Sequence, residues 1–243
     1  MEHTVRSSLA QSFKAVFVTS NHSNQSRKTV KILIVDDHPL VREGLAARLA
    51  QEPDLVVCGE ADDVGDALEL VKTTQPDVIV VDLSLKSGQG LDLIKKVKAR
   101  FENTKMLVSS MYDESLYAER ALHAGAVGYI NKQEVSDKIV EAIRQVMNGK
   151  LYLSATMTER LLQRAVGGSP QIARSPMEDL SDRELEVFKL IGAGKTTRHI
   201  AGELHISVKT VESHRENLKT KLDLANGTEL GRAAVQWVIE SGA

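Results

Sequence analysis

The chain has 243 residues, 42% of them hydrophobic, with a formal charge of −2 and a single cysteine, Cys58. That is enough apolar material for one or two packed domains. The lone cysteine excludes an internal disulfide framework and fits a reducing, cytoplasmic setting, and no apolar run reaches the ~18 residues of a membrane helix, so no membrane partner is expected.

Residues 1–28 are rich in Ser, Asn and Gln and lack sustained periodicity, which predicts a disordered tail or extension. From residue 30 two patterns alternate. "VKILIVDD" is an apolar run ending in two acids, followed by the helical "HPLVREGLAARLAQE" with Pro39 in its first turn. "LVVCGEA", "PDVIVVDLSL", "TKMLVSSMYD" and "AVGYINK" read as further strands. "VGDALELVKTTQ", "GLDLIKKVKARF", "ESLYAERALHAG" and "EVSDKIVEAIRQVMNG" read as the helices between and after them. Five strands alternating with five helices over 30–148 predict an α/β domain with a parallel sheet covered on both faces. The fully apolar strand centres agree, because such strands are buried on both sides. Residues 149–177 contain "GGSP" and "RSP" and read as a linker, with a candidate helix at "SATMTERLLQRAV". Residues 178–243 carry helical patterns near Asp182–Ile191, Thr196–Leu204, Val208–Leu222 and Thr228–Ile239 and no strand signal, which predicts a small all-α domain.

In an open parallel sheet, functional groups collect at the carboxyl ends of the strands, where the strand order reverses. With order 2-1-3-4-5, that edge receives Asp36 and Asp37 from strand one, Asp82 from strand three, Ser110 from strand four and Lys132 after strand five. Any one of them has an ordinary structural explanation, such as a helix cap. Three carboxylates together repel one another unless a cation sits among them. Mg²⁺, a hard ion that takes one or two carboxylates, waters and a phosphate, suits the set. A carboxylate can attack phosphorus to give an aspartyl phosphate, and phosphoryl transfer asks mainly for positioning and neutralised oxygens. The central Asp82 is the expected nucleophile. Asp36 and Asp37 would hold the metal, Lys132 would neutralise charge and Ser110 would donate to a phosphoryl oxygen.

The motifs "ILIVDDHPLVREGL", "DVIVVDLSL", "VSSMYDE" and "GAVGYINK", in this order, resemble the receiver domain of two-component response regulators of the NarL/FixJ type. The resemblance implies a flavodoxin-like (βα)5 receiver phosphorylated on Asp82 by a sensor histidine kinase. It also implies that Asp37, Asp82 and the Ser84 backbone carbonyl ligate the metal with Asp36 assisting, and that Ser110 and Tyr129 form a switch pair. The family often has proline four residues after the nucleophile; Lys86 stands there in this chain. A Mg²⁺-dependent aspartyl phosphatase, the rival enzyme reading, would carry a second Asp two residues after the nucleophile, where this chain has Ser84.

The second domain opens a different question, because "GAGKTT" supplies the tail of the phosphate-loop pattern G-x-x-x-x-G-K-[ST]. Lys189 stands where the first glycine belongs, and the segment before it has helical spacing, so a helix corner is expected instead. "TTRHIAGELHI" should bury Ile200, Ala201, Leu204 and Ile206, and "VKTVESHRENLKTKL" should bury Val208, Val211, Leu218 and Leu222. The outer side shows Lys209, Thr210, Ser213, Arg215, Glu216 and Lys219, in a window of net charge +3 between Lys195 and Lys221. Two helices joined by a tight turn, the second polar outside, suit insertion into the major groove of double-stranded DNA. "LSDRELEVFKLIGAGKTTRHIAGELHISVKTVESHRENLKTKL" resembles a LuxR-type helix-turn-helix. That resemblance implies phosphate contacts from Lys209, Thr210, His214 and Arg215 and base contacts from Glu212, Ser213 and Glu216. The expected protein is a transcription regulator, not an enzyme. Its receiver packs against or covers the DNA-binding helix until phosphorylation favours a homodimer on DNA.

Overall fold

The computed structural model describes residues 29–86, 88–166 and 175–241. The tail expected over 1–28 and the "GGSP" stretch lie outside these residues. Strands β1 (Val30–Val35), β2 (Leu55–Ala61), β3 (Val78–Val81), β4 (Lys105–Ser110) and β5 (Gly128–Asn131) alternate with helices α1 (Pro39–Leu49), α2 (Val64–Thr74), α3 (Gly90–Arg100), α4 (Glu114–Ala124) and α5 (Val135–Met147). All strand pairs are parallel, in the order β2-β1-β3-β4-β5, as the alternation predicts.

The period of two along each strand divides the core. Ile32, Ile34, Val78, Val80, Leu107 and Ile130 pack with Leu45 and Leu49 of α1 and with Ile139 and Ile143 of α5. Leu33, Val35, Ile79, Val81, Met106 and Val108 face the other way, towards Val71 of α2, Ile94 of α3 and Ala118 of α4. The register also places the polar ends. Val35 pairs with Val81, and Asp82 N–H donates to the Val35 carbonyl at 2.8 Å, so Asp36 and Asp82 leave the sheet side by side. At the other flank, Lys132 N–H donates to the Ser110 carbonyl at 2.9 Å.

The expected linker is in large part built into this body. Tyr129 N–H donates to the Tyr152 carbonyl and Tyr152 N–H to the Val127 carbonyl, which lays the chain along the free edge of β5. Helix α6 (Ala155–Ala165) follows, capped by the Ser154 hydroxyl. It is strapped to α4 because Ser154 N–H donates to Glu114 at 2.9 Å, Arg160 donates to the Ser115 carbonyl and Arg164 pairs with Glu119.

A 3-10 turn (Pro176–Asp179) leads into α7 (Asp182–Gly192), α8 (Thr197–Glu203), α9 (Val208–Lys221) and α10 (Gly227–Ser241). Ser181 and Glu184 form a capping box at α7, and Thr196 and Ser207 cap α8 and α9. Leu185, Phe188, Ile200, Val211, Leu218 and Leu230 close the core of these helices. Val208 does not join them. It is the first residue of α9, one turn outside the packed stripe, and is 42% exposed. Ile206 and Leu222 are half-buried at its margin.

The "GAGKTT" stretch is a helix corner. Gly192 ends α7 against α10, where an added Cβ would lie 2.4 Å from the Ala234 carbonyl oxygen, and Gly194 takes φ +76°. Thr196 spends its hydroxyl on the α8 cap, accepting from His199 N–H, and Lys195 lies 3.4 Å from Glu203. Without a preceding strand there is no phosphate loop.

Candidate functional site

Asp36 and Asp82 are 2% and 3% exposed, and a single ammonium, Lys132 Nζ, lies 2.7 Å from an oxygen of each. Burial pushes the Asp82 carboxyl above its ordinary range, against the pull of Lys132. Burial also disfavours the Lys132 charge, but the hydrogen bonds to Asp36 and Asp82 outweigh it and hold that pKa above the usual lysine value. Asp36 also accepts from His38 N–H at 2.9 Å. His38 is the cap residue of α1 and makes no side-chain cap, so the two acids are not spent on capping.

Asp37 is the less settled member. His38 Nδ1 lies 2.6 Å from Asp37 Oδ1, but without hydrogen-bond alignment, and this buried oxygen accepts no hydrogen bond from the described residues. Asp36, Asp37, His38 and Asp82 can each bring one ligand atom within 4.8 Å of the others. A buried carboxylate oxygen with no donor, beside two more carboxylates, is the donor set that a hard divalent cation satisfies.

The loop after β3 frames the pocket. Ser84 pairs with Gln89 in an isolated bridge, and Gly90 N–H donates to the Leu83 carbonyl at 3.0 Å. The first residue of α3 thereby comes so close that a Cβ on Gly90 would stand 2.1 Å from the Asp82 carbonyl oxygen. Lys86, in the place of the family's common proline, points outward and lies 3.5 Å from Asp62. Ser110 is 1% exposed at the end of β4, and its hydroxyl oxygen accepts from Tyr112 N–H at 3.3 Å. Tyr129 is turned inward at 1% exposure, with its hydroxyl donating to the Tyr112 carbonyl at 2.7 Å; burial pushes its pKa up. Sequence reasoning gave no part to Gly90 or Tyr112. Gly90 acts through close approach of backbone, and Tyr112, although inside the motif "VSSMYDE", through its backbone groups together with its hydroxyl and ring.

The residues assigned to nucleic acid lie far from this pocket along the chain, on α9. Lys209, Thr210, Glu212, Ser213 and Glu216 are exposed, while His214, Arg215 and Lys219 are half-buried. Several are already occupied within the helix. The Thr210 hydroxyl lies 2.7 Å from the Ser207 hydroxyl, Ser213 donates to the Lys209 carbonyl and Lys219 pairs with Glu216 at 2.8 Å. Lys221 donates to buried Glu184 at 2.7 Å and anchors α9 to α7. Among the described residues, the receiver's polar contacts to the second domain reach α7 and the 3-10 turn before it rather than the outer face of α9: Lys95 and Arg120 hold Asp182 at 2.7 and 3.0 Å, and Arg120 donates to the Met177 carbonyl at 2.9 Å. The expectation of a covered recognition helix is thus corrected, because the contact is made through the neighbouring helix.

Residues 32–144 match the response regulator receiver domain family, and residues 178–234 match the bacterial regulatory proteins of the luxR family. The oxygen regulatory protein NreC of Staphylococcus carnosus is 38% identical over 211 residues, which cover 85% of this chain and 97% of that protein. The chain belongs to the response regulators of the NarL/FixJ type. Two solved structures of RcsB share its architecture. RcsB from Salmonella enterica serovar Typhimurium, bound to promoter P1flhDC in the presence of phosphomimetic BeF3−, superposes with a TM-score of 0.64 at 26% identity, covering 85% of this chain and 98% of that one. A structure of two RcsB dimers bound to two parallel DNAs gives 0.61 at 26% identity, covering 84% and 97%. This response regulator thus joins a receiver sheet to a LuxR-type helix-turn-helix. Among the described residues, no helix is long and apolar enough to cross a membrane.

Proposed function

We propose that residues 30–148 are a phosphoacceptor domain modified on Asp82 by a cognate sensor histidine kinase, and that residues 178–243 bind double-stranded DNA. The observation that carries the reading is the pocket itself: one lysine at 2.7 Å from two buried aspartates, beside an aspartate oxygen with no donor. Asp37, Asp82 and the Ser84 carbonyl, with Asp36 assisting, are the residues to hold Mg²⁺, which when bound would neutralise phosphoryl oxygens.

A carboxylate oxygen of Asp82 attacks the phosphorus, the bond to the donor breaks in line, and the donor leaves with its electron pair. Lys132, already in contact with Asp82, offsets the added charge on the phosphoryl oxygens. The Ser110 hydroxyl turns from Tyr112 N–H towards a phosphoryl oxygen, and Tyr129, inward and bonded to the Tyr112 carbonyl, is held in place behind it. These changes favour a second arrangement of the two domains, a population shift rather than an uncovering of α9. In it, two copies meet as a homodimer on paired DNA half-sites. Lys209, Thr210, His214 and Arg215 meet phosphates, and Glu212, Ser213 and Glu216 face bases. The protein works in the cytoplasm as a regulator of transcription, without catalytic turnover of its own.

Incubation with Mg²⁺ and acetyl phosphate should add one phosphoryl group that both acid and base remove. Asp82→Asn should abolish it, because an amide is no nucleophile. Equal labelling of the variant in intact-protein mass spectrometry would place the nucleophile elsewhere.

A further inference from the structure

Arg42 closes the stretch "DDHPLVR". It lies one turn into α1 and reaches back to the start of that stretch. Its Nη1 donates to the Asp36 backbone carbonyl at 2.6 Å. Asp36 N–H donates in turn to the Ala61 carbonyl of β2 at 3.1 Å. Asp36 is therefore tied on both sides, its N–H to the strand ladder and its carbonyl to α1. The guanidinium is itself held. Its side chain is 18% exposed, and Nε lies 3.5 Å from Glu60 Oε2, on a residue that β2 sets opposite Ile34. The next residue after this clamp is Asp37. Its buried Oδ1 accepts no hydrogen bond from the described residues, so that oxygen takes its place from the backbone on which Asp37 stands.

We infer that Arg42 is a positioning residue for the divalent cation: by holding the peptide between Asp36 and Asp37, it aims the Asp37 carboxylate into the pocket. The inference rests on the proposed Mg²⁺ site. The peptide is planar, so a donor that fixes its oxygen also fixes the direction in which the chain enters Asp37. Without Arg42 that plane can turn, and the Asp37 carboxylate samples directions that miss the ion. Groups that orient metal ligands without touching the metal are worth about 10–100-fold in affinity. A guanidinium suits the post, because its fork bonds the carbonyl and the Glu60 carboxylate at once, and an ammonium has no such fork. An arginine that merely satisfied a carbonyl at a strand end would add to stability and leave the metal untouched, which separates the two roles.

The probe is Mn²⁺, which suits the same oxygen ligands as Mg²⁺. It is titrated against the full chain and read by the electron paramagnetic resonance of the free ion. Arg42→Met should raise the Mn²⁺ Kd by about tenfold or more. Arg42→Lys, with a donor but no fork, should raise it by a smaller factor. In phosphorylation by acetyl phosphate, the Mg²⁺ concentration at half-maximal rate should rise in Arg42→Met by the same factor as the Kd, while the rate at saturating Mg²⁺ stays near wild type. Given cooperative urea unfolding in EDTA, an unchanged Kd in Arg42→Met overturns the inference. So does a lower rate at saturating Mg²⁺ with an unchanged half-maximum, because Arg42 would then act on the pocket without acting through the ion. Should Arg42→Met fail to fold, Arg42→Lys decides alone, and a wild-type Kd there is the overturning result. Asp37→Asn checks the site itself. If it binds Mn²⁺ as tightly as wild type, the metal reading falls and takes Arg42 with it. If it binds weakly while Arg42→Met binds normally, only the part given to Arg42 falls.

Discussion

In the acidic pocket two aspartates at 2% and 3% exposure share one lysine, whereas on α9 Lys209, Thr210, Glu212, Ser213 and Glu216 all stand in solvent. The pocket is assembled from the ends of β1, β3 and β4 and the turn after β5, and its distances are fixed by the sheet register before anything binds. Among the described residues, the outer face of α9 around Lys209–Lys219 bonds only within one or two turns of its own helix. Charge in the first region therefore belongs to the fold as much as to the chemistry, and charge in the second waits for a partner to give it geometry. A substitution in the pocket should disturb stability and function together. One on α9 should alter affinity alone.

Lys132→Met probes the strongest form of this contrast. It leaves Asp36 and Asp82 buried side by side without their cation, and breaking a buried pair in this way costs about 3–5 kcal/mol. Urea unfolding in EDTA at neutral pH should show that loss. Added Mg²⁺ should then recover more stability in the variant than in wild type, since a ligand that binds only the native state stabilises in proportion to its occupancy. A variant as stable as wild type in EDTA would mean that the pocket is not held by charge.

Gly90→Ala comes next. The new methyl would meet the Asp82 carbonyl oxygen at 2.1 Å, and backbone cannot step aside as a flexible side chain can. Overpacking of this order costs about 1–3 kcal/mol, and the displaced Asp82 should also be phosphorylated more slowly by acetyl phosphate. Full stability with normal phosphorylation would show that α3 can shift without disturbing the pocket.

The strands and their polar ends are legible because each strand is short and apolar, and four of the five run directly into a polar functional residue. The alternation, taken with the strand order 2-1-3-4-5 of an open parallel sheet, then places Asp36, Asp82 and Ser110 at one edge. Gly90 was not legible, because its role depends on a through-space approach of α3 to β3. Tyr112 is not legible for a similar reason: the partners of its N–H, carbonyl, hydroxyl and ring come from other elements, and the sequence does not say where these groups point. The helix at "SATMTERLLQRAV" could be read, but its place could not, since Arg160 and Arg164 meet Ser115, Glu119 and Glu178 across 14 to 45 residues of chain. On α9 the helical spacing marks Val211 and Leu218 correctly but carries the stripe one turn too far, to Val208, which is exposed at the helix start.

Affinity alone should change on α9. Lys209→Ala should weaken binding to a random-sequence duplex pool for all members alike and lower the salt slope by about 0.9, the share of one phosphate. Glu216→Ala should leave that slope in place and move the preference at one or two base pairs by about 1 kcal/mol. Both variants should unfold at the wild-type urea concentration. A shared loss of stability would erase the distinction drawn between the two regions.

The contact between the domains lies between these extremes, and pH separates it from both. Burial pushes the Asp182 carboxyl up, but Lys95 and Arg120 outweigh it and hold its pKa below the ordinary value. Its contribution is therefore complete above the unfolded pKa of about 3.9 and is lost as pH falls through the lower folded value. Between pH 6 and pH 3 the urea midpoint should drop more steeply in wild type than in Asp182→Asn, whose amide does not titrate in this range. Parallel curves would show that the ion pairs with Lys95 and Arg120 add nothing to the docked state.

The smallest effect is expected at the corner that resembles a nucleotide loop. Lys195 and its partner Glu203 are 45% and 48% exposed and 3.4 Å apart, and an exposed pair of this kind contributes about 0.5 kcal/mol or less. Lys195→Ala should therefore leave the unfolding midpoint almost in place and change DNA binding by no more than one outlying phosphate contact. ATP should not bind in isothermal titration, because the segment before Gly194 is α7 rather than a strand, and the Thr196 hydroxyl is spent on the α8 cap. A micromolar ATP affinity that vanished with Lys195→Ala would make this corner a third kind of site, charged and exposed like α9 yet shaped in advance like the pocket.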